Sequence, residues 1–262
     1  YTSSGQDLQK PLCAPDPLGD VPYECVELFY RRAFFITPDA WVQAGWRAGS
    51  GTLYLAAELA GHYGRFRATQ ATRKTDTGKQ FLGGGALARV WWEDPALRFS
   101  LEGGVASGDG DADAFGVYDG YVAAVPDLSS DDWDVVRRNA FVTTWMFNPA
   151  YLVDSILFRH VIGAVTDAWY LKPAADVAVW RTRDRGLSVL ASLMYAGAVM
   201  PSQTPGRHPA LGLEAEAGLR FRWDFVEASF SGAGLVPFRA FDHGEGVPQP
   251  AWLLRTGLRF WF

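Results

Sequence analysis

The residues best suited to chemistry are an acidic run, four histidines and two cysteines. In "VASGDGDADAFGVYDGY", Asp109, Asp111 and Asp113 stand at alternate positions, and clustered carboxylate oxygens are what a hard cation such as calcium prefers. They are candidate calcium ligands. Read as an EF-hand loop starting at Asp109, however, the position that needs a sharp-turning glycine holds Ala114, and the closing position holds Gly120 instead of glutamate. A solvated acidic loop accounts for the same residues. The histidines are His62, His160, His208 and His243, and with the two cysteines they offer none of the ligand spacings of a zinc site, just as no glycine loop is set up for phosphate. "FDHGEG" around His243 superficially resembles a hydrolase motif, but no serine has a sequence context that places it beside that imidazole, and a triad is a geometric claim. Turn chemistry explains His243, and no enzymatic activity is expected. Cys13 and Cys25 bracket the Pro-rich "LCAPDPLGDVPYEC". A pair closing a short irregular loop suggests a disulfide made in an oxidising compartment; two unpaired thiols are the alternative.

Composition narrows the classes. The net charge is −5 and the acidic excess lies in loops such as "GDGDADAFG" and "LSSDDWD", which excludes the basic face that nucleic acid requires. Aromatic residues make up 15% of the 262, with 11 Trp and 28 Gly, an unusual mixture for a soluble enzyme. The apolar run from Leu187 to Met200 is broken by serines and a glycine, too short for a spanning helix. The opening "YTSSGQDLQK" has no apolar signal core, so either a removed leader or an upstream portion is expected.

The elements that position the charged residues have a period of two. In "ALGLEAEAGLRFRW", Leu211, Leu213, Ala215, Ala217, Leu219, Phe221 and Trp223 share one parity, while Glu214, Glu216, Arg220 and Arg222 share the other. That is a strand with one apolar and one polar face. The pattern recurs over nine long segments, about 30–47, 52–68, 79–93, 97–108, 168–182, 187–201, 210–223, 225–239 and 250–262. Tight connections ("RAGSG", "EDPA", "RDRG", "RWD") alternate with long polar ones ("TQATRKTDTGK", 110–167, "SQTPGRHP", "DHGEGVPQ"). Aromatics gather near strand ends, at Trp41, Trp46, Trp91, Trp92, Trp169, Tyr170, Trp223, Trp252 and Trp261. Short turns on one side, long loops on the other and aromatic girdles are the signature of an antiparallel transmembrane β-barrel with a meander order. The fold expected is therefore all-β, with long extracellular loops and short periplasmic turns. Nine is an odd number and bacterial single-chain barrels have even ones, so either one further strand lies within 1–29 or, the reading favoured here, the chain is the C-terminal part of a larger barrel, of about sixteen to eighteen strands.

On that reading residues 1–29 form an extracellular Cys/Pro-rich segment, and 30–262 form the barrel. The polar faces predict a lumen lined by Glu58, His62, Arg89, Arg98, Glu102, Lys172, Asp176, Glu214, Glu216, Arg220, Arg222, Glu227, Arg255 and Arg259. Its near balance of signs suggests ion pairs more than strong ion selectivity. The insertion 110–167 is too long and apolar for an exposed loop. Its "YLVDSILFRHVIG" reads as a short helix at the extracellular side or in the lumen, with Asp154, Arg159 and His160 as candidates for a constriction.

The "ASGDGD" at a strand end, the acidic loop after it and "FNPAYLVDSILFRHVIG" together resemble alginate-export-type porins. They resemble more closely a porin-like barrel family of myxobacteria, over residues 30–262, and "LGLEAEAGLRFRWDF" fits that family's penultimate hairpin. The resemblance implies the outer membrane of a Gram-negative bacterium, with lipid, lipopolysaccharide and the barrel assembly machinery as partners. Phe260 and Phe262 resemble the signal that this machinery reads on a last strand. The function expected is diffusion of small polar solutes. A non-conducting barrel that anchors an envelope or surface complex is the alternative.

Overall fold

The structure, a computed structural model, describes residues 33–66, 79–109, 141–242 and 248–261. The segment carrying Cys13 and Cys25, the acidic positions Asp111 and Asp113, His243 and Phe262 lie outside the described residues.

The strands are β1 (Ala33–Ile36), β2 (Asp39–Ala48), β3 (Gly51–Phe66), β4 (Lys79–Glu93), β5 (Leu97–Ala106), β6 (Phe141–Val142), β7 (Ala168–Arg181), β8 (Arg185–Ala198), β9 (Ala210–Trp223), β10 (Val226–Pro237) and β11 (Ala251–Phe260). They form one sheet in the order β1-β3-β4-β5-β7-β8-β9-β10-β11. Its long ladders are all antiparallel, and only the two-residue β6 lies parallel, beside β4. The first strand expected from the sequence is split. β1 pairs with Ala33↔Phe66 to Ile36↔Tyr63, and β2 with Asp39↔Ala60 to Ala48↔Gly51, on the same partner β3. Pro38 sits in the break, having no N–H to give a ladder. Among the described residues no ladder joins β11 to β1 or β2.

Each tight turn has a local cause. Gly49 adopts φ +64° between β2 and β3, the left-handed region that two-residue hairpins demand. Asp94 ends β4 and its Oδ1 accepts N–H bonds from Ala96 and Leu97, both at 2.8 Å, so the side chain substitutes for a backbone turn. The carboxyl of Asp94 is held below the usual range by those two donors. Asp224, at φ +50°, turns β9 into β10. The connections at the opposite end are the long ones.

Register divides the sheet into two faces. On one stand Trp46, Leu55, Leu59, Val90, Leu101, Leu171, Val189, Leu193, Leu219, Phe230, Leu254 and Leu258, all exposed. Trp252 is 81% and Leu254 74% exposed. Among the described residues this bare face carries no charged side chain except Arg65 and Arg185 at its two ends. Aromatics mark both limits, with Trp46, Trp92, Trp180, Trp223 and Phe260 near the tight turns and Tyr63, Trp169, Tyr195 and Trp252 near the long loops. The rings of Trp41, Trp91 and Tyr170 belong to the other face instead, because they lie opposite Glu58, Ser100 and Gly104 in register. An aromatic doublet such as Trp91-Trp92 must send its rings opposite ways. Leu211 also departs from its expected parity. A register shift opposite Ala196 and Gly197 frees it, and it turns into the buried core.

The hydrophobic core lies on the second face. There Val153, Ile156, Leu157, Phe158 and Val165, from the connection between β5 and β7, pack on Ala106, Ala168, Tyr170, Met194, Ala196 and Leu235 of the sheet. This covered face holds most of the polar residues of the long strands. A Leu, Phe or Trp side chain left in water instead of buried forfeits about 1.5–3 kcal/mol, so the distribution is inverted relative to a soluble sandwich, whose apolar rows would face each other.

Candidate functional site

The site is built from the segment 141–167 and the wall it lies against. The segment enters at Thr143, whose N–H bonds to Asp109 Oδ2 at 2.8 Å and whose hydroxyl bonds to the Gly108 carbonyl at 2.7 Å. Ser107 Oγ donates to the Thr143 carbonyl at 2.6 Å and accepts from the Gly84 N–H. Asp109, a candidate calcium ligand, is thus one anchor of the inner segment. Among the described residues no group of three His, Cys, Asp or Glu is placed to hold a metal ion.

Beyond this entry the rings of Trp145 and Phe147 lie close against β4 at Gly85. Glycine makes that possible, since a Cβ on Gly85 would stand 2.5 Å from Phe147 and 2.6 Å from Trp145. The segment then runs past three buried or half-buried charges. Glu102, 5% exposed, accepts bonds from Tyr151 (2.8 Å) and Tyr170 (2.9 Å) and is paired with Arg89. Tyr170 reaches it by lying over Gly104, where any Cβ would clash with the ring. Lys172 Nζ donates to the Val153 carbonyl at 2.5 Å. Glu214, 3% exposed, accepts the N–H groups of Ser155 at 2.8 Å, of Ile156 at 3.1 Å and of Leu157 at 2.9 Å. These are the orphan donors at the start of a helical turn, and a carboxylate is the natural partner for them. Ser155 also donates to Glu216 at 3.0 Å.

The turn itself is a short π-helix, Leu157–Ile162, in which both His160 and Val161 donate to the Ile156 carbonyl. The short helix expected there is present, with the wider π pitch. Gly163, at φ +100°, ends it. Asp154 Oδ2 accepts the Phe158 N–H at 2.6 Å, while its Oδ1 is buried without a partner. Burial, reinforced by the Glu214 charge, pushes the Asp154 carboxyl up to about 6 against the pull of the Phe158 N–H and Lys172.

The positions expected to line a lumen all lie on the covered face. Glu58, His62, Arg89, Arg98, Glu102, Lys172, Asp176, Glu214, Glu216, Arg220, Arg222, Glu227, Arg255 and Arg259 are linked by register pairs such as Arg89↔Glu102, Glu102↔Lys172, Arg98↔Asp176 and Glu227↔Arg259. They separate into two zones. Around the inner segment are Glu102, Lys172, Glu214, Glu216 and Arg255, the last within 3.4 Å of Ser155 Oγ. Nearer the tight turns are Arg98, Arg220, Arg222, Asp176 and Glu227, lining one cavity, with Arg220 paired to Asp176 at 3.1 Å. The constriction candidates do not gather into one cluster, since Asp154 is buried against the wall while Arg159 and His160 are exposed. Phe260 lies on the bare face opposite Val226. The bonds from Glu214 to backbone donors had no sequence signal of their own, because a main-chain N–H carries no letter. No protein-family model matches the sequence, and no curated protein matches it.

This geometry sets three expected outcomes. Glu214→Gln turns an NH2 group toward backbone donors and loses charge-assisted bonds, weakening attachment of the segment by about 2–3 kcal/mol; hydrogen exchange of residues 155–158 should accelerate accordingly. Gly85→Val should displace Trp145 and Phe147, read as lost ring contacts and increased proteolysis within 143–167. For Asp154 the folded value is raised, so its contribution to docking is complete below about pH 4 and disappears as pH rises through about 6. Protection factors over 151–162, which remove the intrinsic pH dependence of amide exchange, should therefore fall between pH 5 and 7.5, and Asp154→Asn should flatten that fall.

Proposed function

We propose that this chain is part of an outer-membrane β-barrel that passes small polar solutes, its bare face against lipid and its covered face around a lumen narrowed by residues 141–167. The observation that carries the reading is the bare face. It is free of charge between Arg65 and Arg185 and bounded by two aromatic rows, as a lipid-facing band with interfacial girdles would be. From Leu213 to Trp223 a strand rises about 33 Å; at a tilt of about 40° that spans about 25 Å, the height of such a band. Trp92 Nε1 donates to the Ala48 carbonyl at 3.1 Å, and Arg185 stacks on Trp223 with its guanidinium carbon 4.6 Å from the ring centre, both suited to an interface. The resemblance of "ASGDGD" and "FNPAYLVDSILFRHVIG" to porin-like barrels points the same way.

In lipid the edge N–H and C=O groups of β1, β2 and β11 need partners, because nothing in hydrocarbon supplies them. The edge strands run in the same direction, since the eight strands after the first alternate. An odd number of further strands therefore closes the sheet with every ladder antiparallel, and seven or nine would give a porin-sized barrel of about sixteen to eighteen. We place them in another portion of the same protein or in an envelope subunit. The tight turns would then be periplasmic, the long loops would meet lipopolysaccharide, and the last strand with Phe260 would present itself to the assembly machinery.

The docked inner segment favours a second reading, a barrel closed by its own insertion that serves as an anchor in an envelope complex. Planar-bilayer recording on the purified full-length protein separates the two. Stepwise currents that grow in Glu214→Gln support the channel; silence in both proteins, with strand structure intact by circular dichroism, supports the anchor. The lipid-facing assignment has its own test. Ala191→Arg, mid-height on the bare face, should cost about 2–4 kcal/mol in liposome unfolding, whereas Ser192→Arg, facing Glu216, should cost under about 1 kcal/mol. Equal costs would sink the assignment.

A further inference from the structure

A cavity of about 540 Å³ lies between the inner segment and the wall formed by β2, β3 and β4. Small residues, Ala60, Gly85 and Ala86, form part of its floor, and Trp145, Phe147 and Tyr151 form one side. Phe147 and Tyr151 meet edge to face, with ring centres 6.0 Å apart, and the Tyr151 hydroxyl is engaged by Glu102, so these residues present ring surface to the space. Asp39 and Glu58 also line it, and no lysine or arginine among the described residues does.

The two carboxylates are set apart from others on the covered face. Glu102 has Arg89, Glu214 has three backbone donors, Glu216 has Ser155 and Asp176 has Arg220. Glu227 lies between Arg222 and Arg259 in register. Among the described residues Asp39 and Glu58 have no lysine or arginine directly across a ladder, and His62 is diagonal to Asp39. Their register partners are Ala60 for the first, and Trp41 and Leu87 for the second. Arg89 is diagonal to Glu58 but bonded to Glu102. Negative charge without an ion-pair partner among the described residues, beside several ring faces, is the combination that attracts an ammonium group, through Coulomb attraction and cation–π contact together. A neutral sugar would use the rings and leave the charges unmatched.

We propose that this cavity binds an organic cation, a small substituted ammonium held between Asp39 and Glu58 and the rings of Trp145, Phe147 and Tyr151. The proposal is independent of conduction, since the cavity exists whether the barrel passes solute or not. Calorimetric titration of the detergent-solubilised full-length protein with choline, and with its neutral isostere 3,3-dimethyl-1-butanol, tests it. Choline should bind at least tenfold more tightly than the isostere. The double variant Asp39→Asn, Glu58→Gln should weaken choline at least tenfold, as should Trp145→Leu, while Glu227→Gln leaves it unchanged. Circular dichroism of each variant confirms the fold, and the two carboxylate changes keep side-chain size. Equal affinity for the isostere, full affinity in the double variant, or binding of glucose without choline would each overturn the proposal. So would no choline binding at millimolar concentration. None of these readouts depends on ionic current, so a silent bilayer counts against the channel alone and a failed titration against the cation site alone.

Discussion

Every part of this architecture depends on the backbone ladder, in which each long strand satisfies its neighbours' N–H and C=O groups. That pairing frees the side chains from supplying backbone partners and lets the two faces diverge. One face becomes continuously apolar, and the other collects nearly all the charge. In water a sheet divided in this way would need a further apolar surface over its bare rows, and none lies among the described residues. In the proposed bilayer setting the same division would give each face a medium that suits it.

The covered face explains why the inner segment is fastened as it is. A mainly polar wall offers limited apolar purchase, so Val153, Ile156 and Leu157 use the small residues of β7 and β8, and the attachment is completed by charge. Glu102 and Glu214 are buried, and a buried carboxylate without partners would be strongly unfavourable. Each is saturated by donors from the segment itself or from beside it. The result is directional in a way that hydrophobic packing alone is not, because Glu102 accepts from Tyr151 while Glu214 accepts from the N–H groups of Ser155, Ile156 and Leu157.

Much of the sheet was legible in the sequence, because alternation along "LYLAAELAGHYG" or "ALGLEAEAGLRFRW" reports a two-sided strand directly. The positions of Glu58, Arg98 and Arg220 on one face followed from parity alone. Departures arise where something other than parity acts. Pro38 divides the first strand, the register shift at Ala196 and Gly197 turns Leu211 inward, and Trp91 and Trp92 go to opposite faces although their adjacency suggests a single girdle. The inner segment was legible as apolar and helical but not in its contacts, since its attachment runs through main-chain donors and through Tyr151 and Tyr170, which no spacing connects to Glu102. Arg159 and His160 lie close to Asp154 in sequence, and the turn of the chain separates them.

The β5–β7 ladder has a kinetic consequence. All other long ladders described join strands separated by short or moderate connections, whereas Ala106 and Ala168 are brought side by side across the longest excursion in the chain. Compared with a two-residue hairpin, closing so long a loop costs about 3 kcal/mol more in chain entropy. Hairpins on either side can form early and locally, while this seam waits for a long-range encounter. The excursion carries its own remedy. By laying Tyr151 on β5, Val153 on β7 and Ser155 on β9, it stitches the two halves together along the line where they meet, so closure of that seam and coverage of the polar face depend on the same residues.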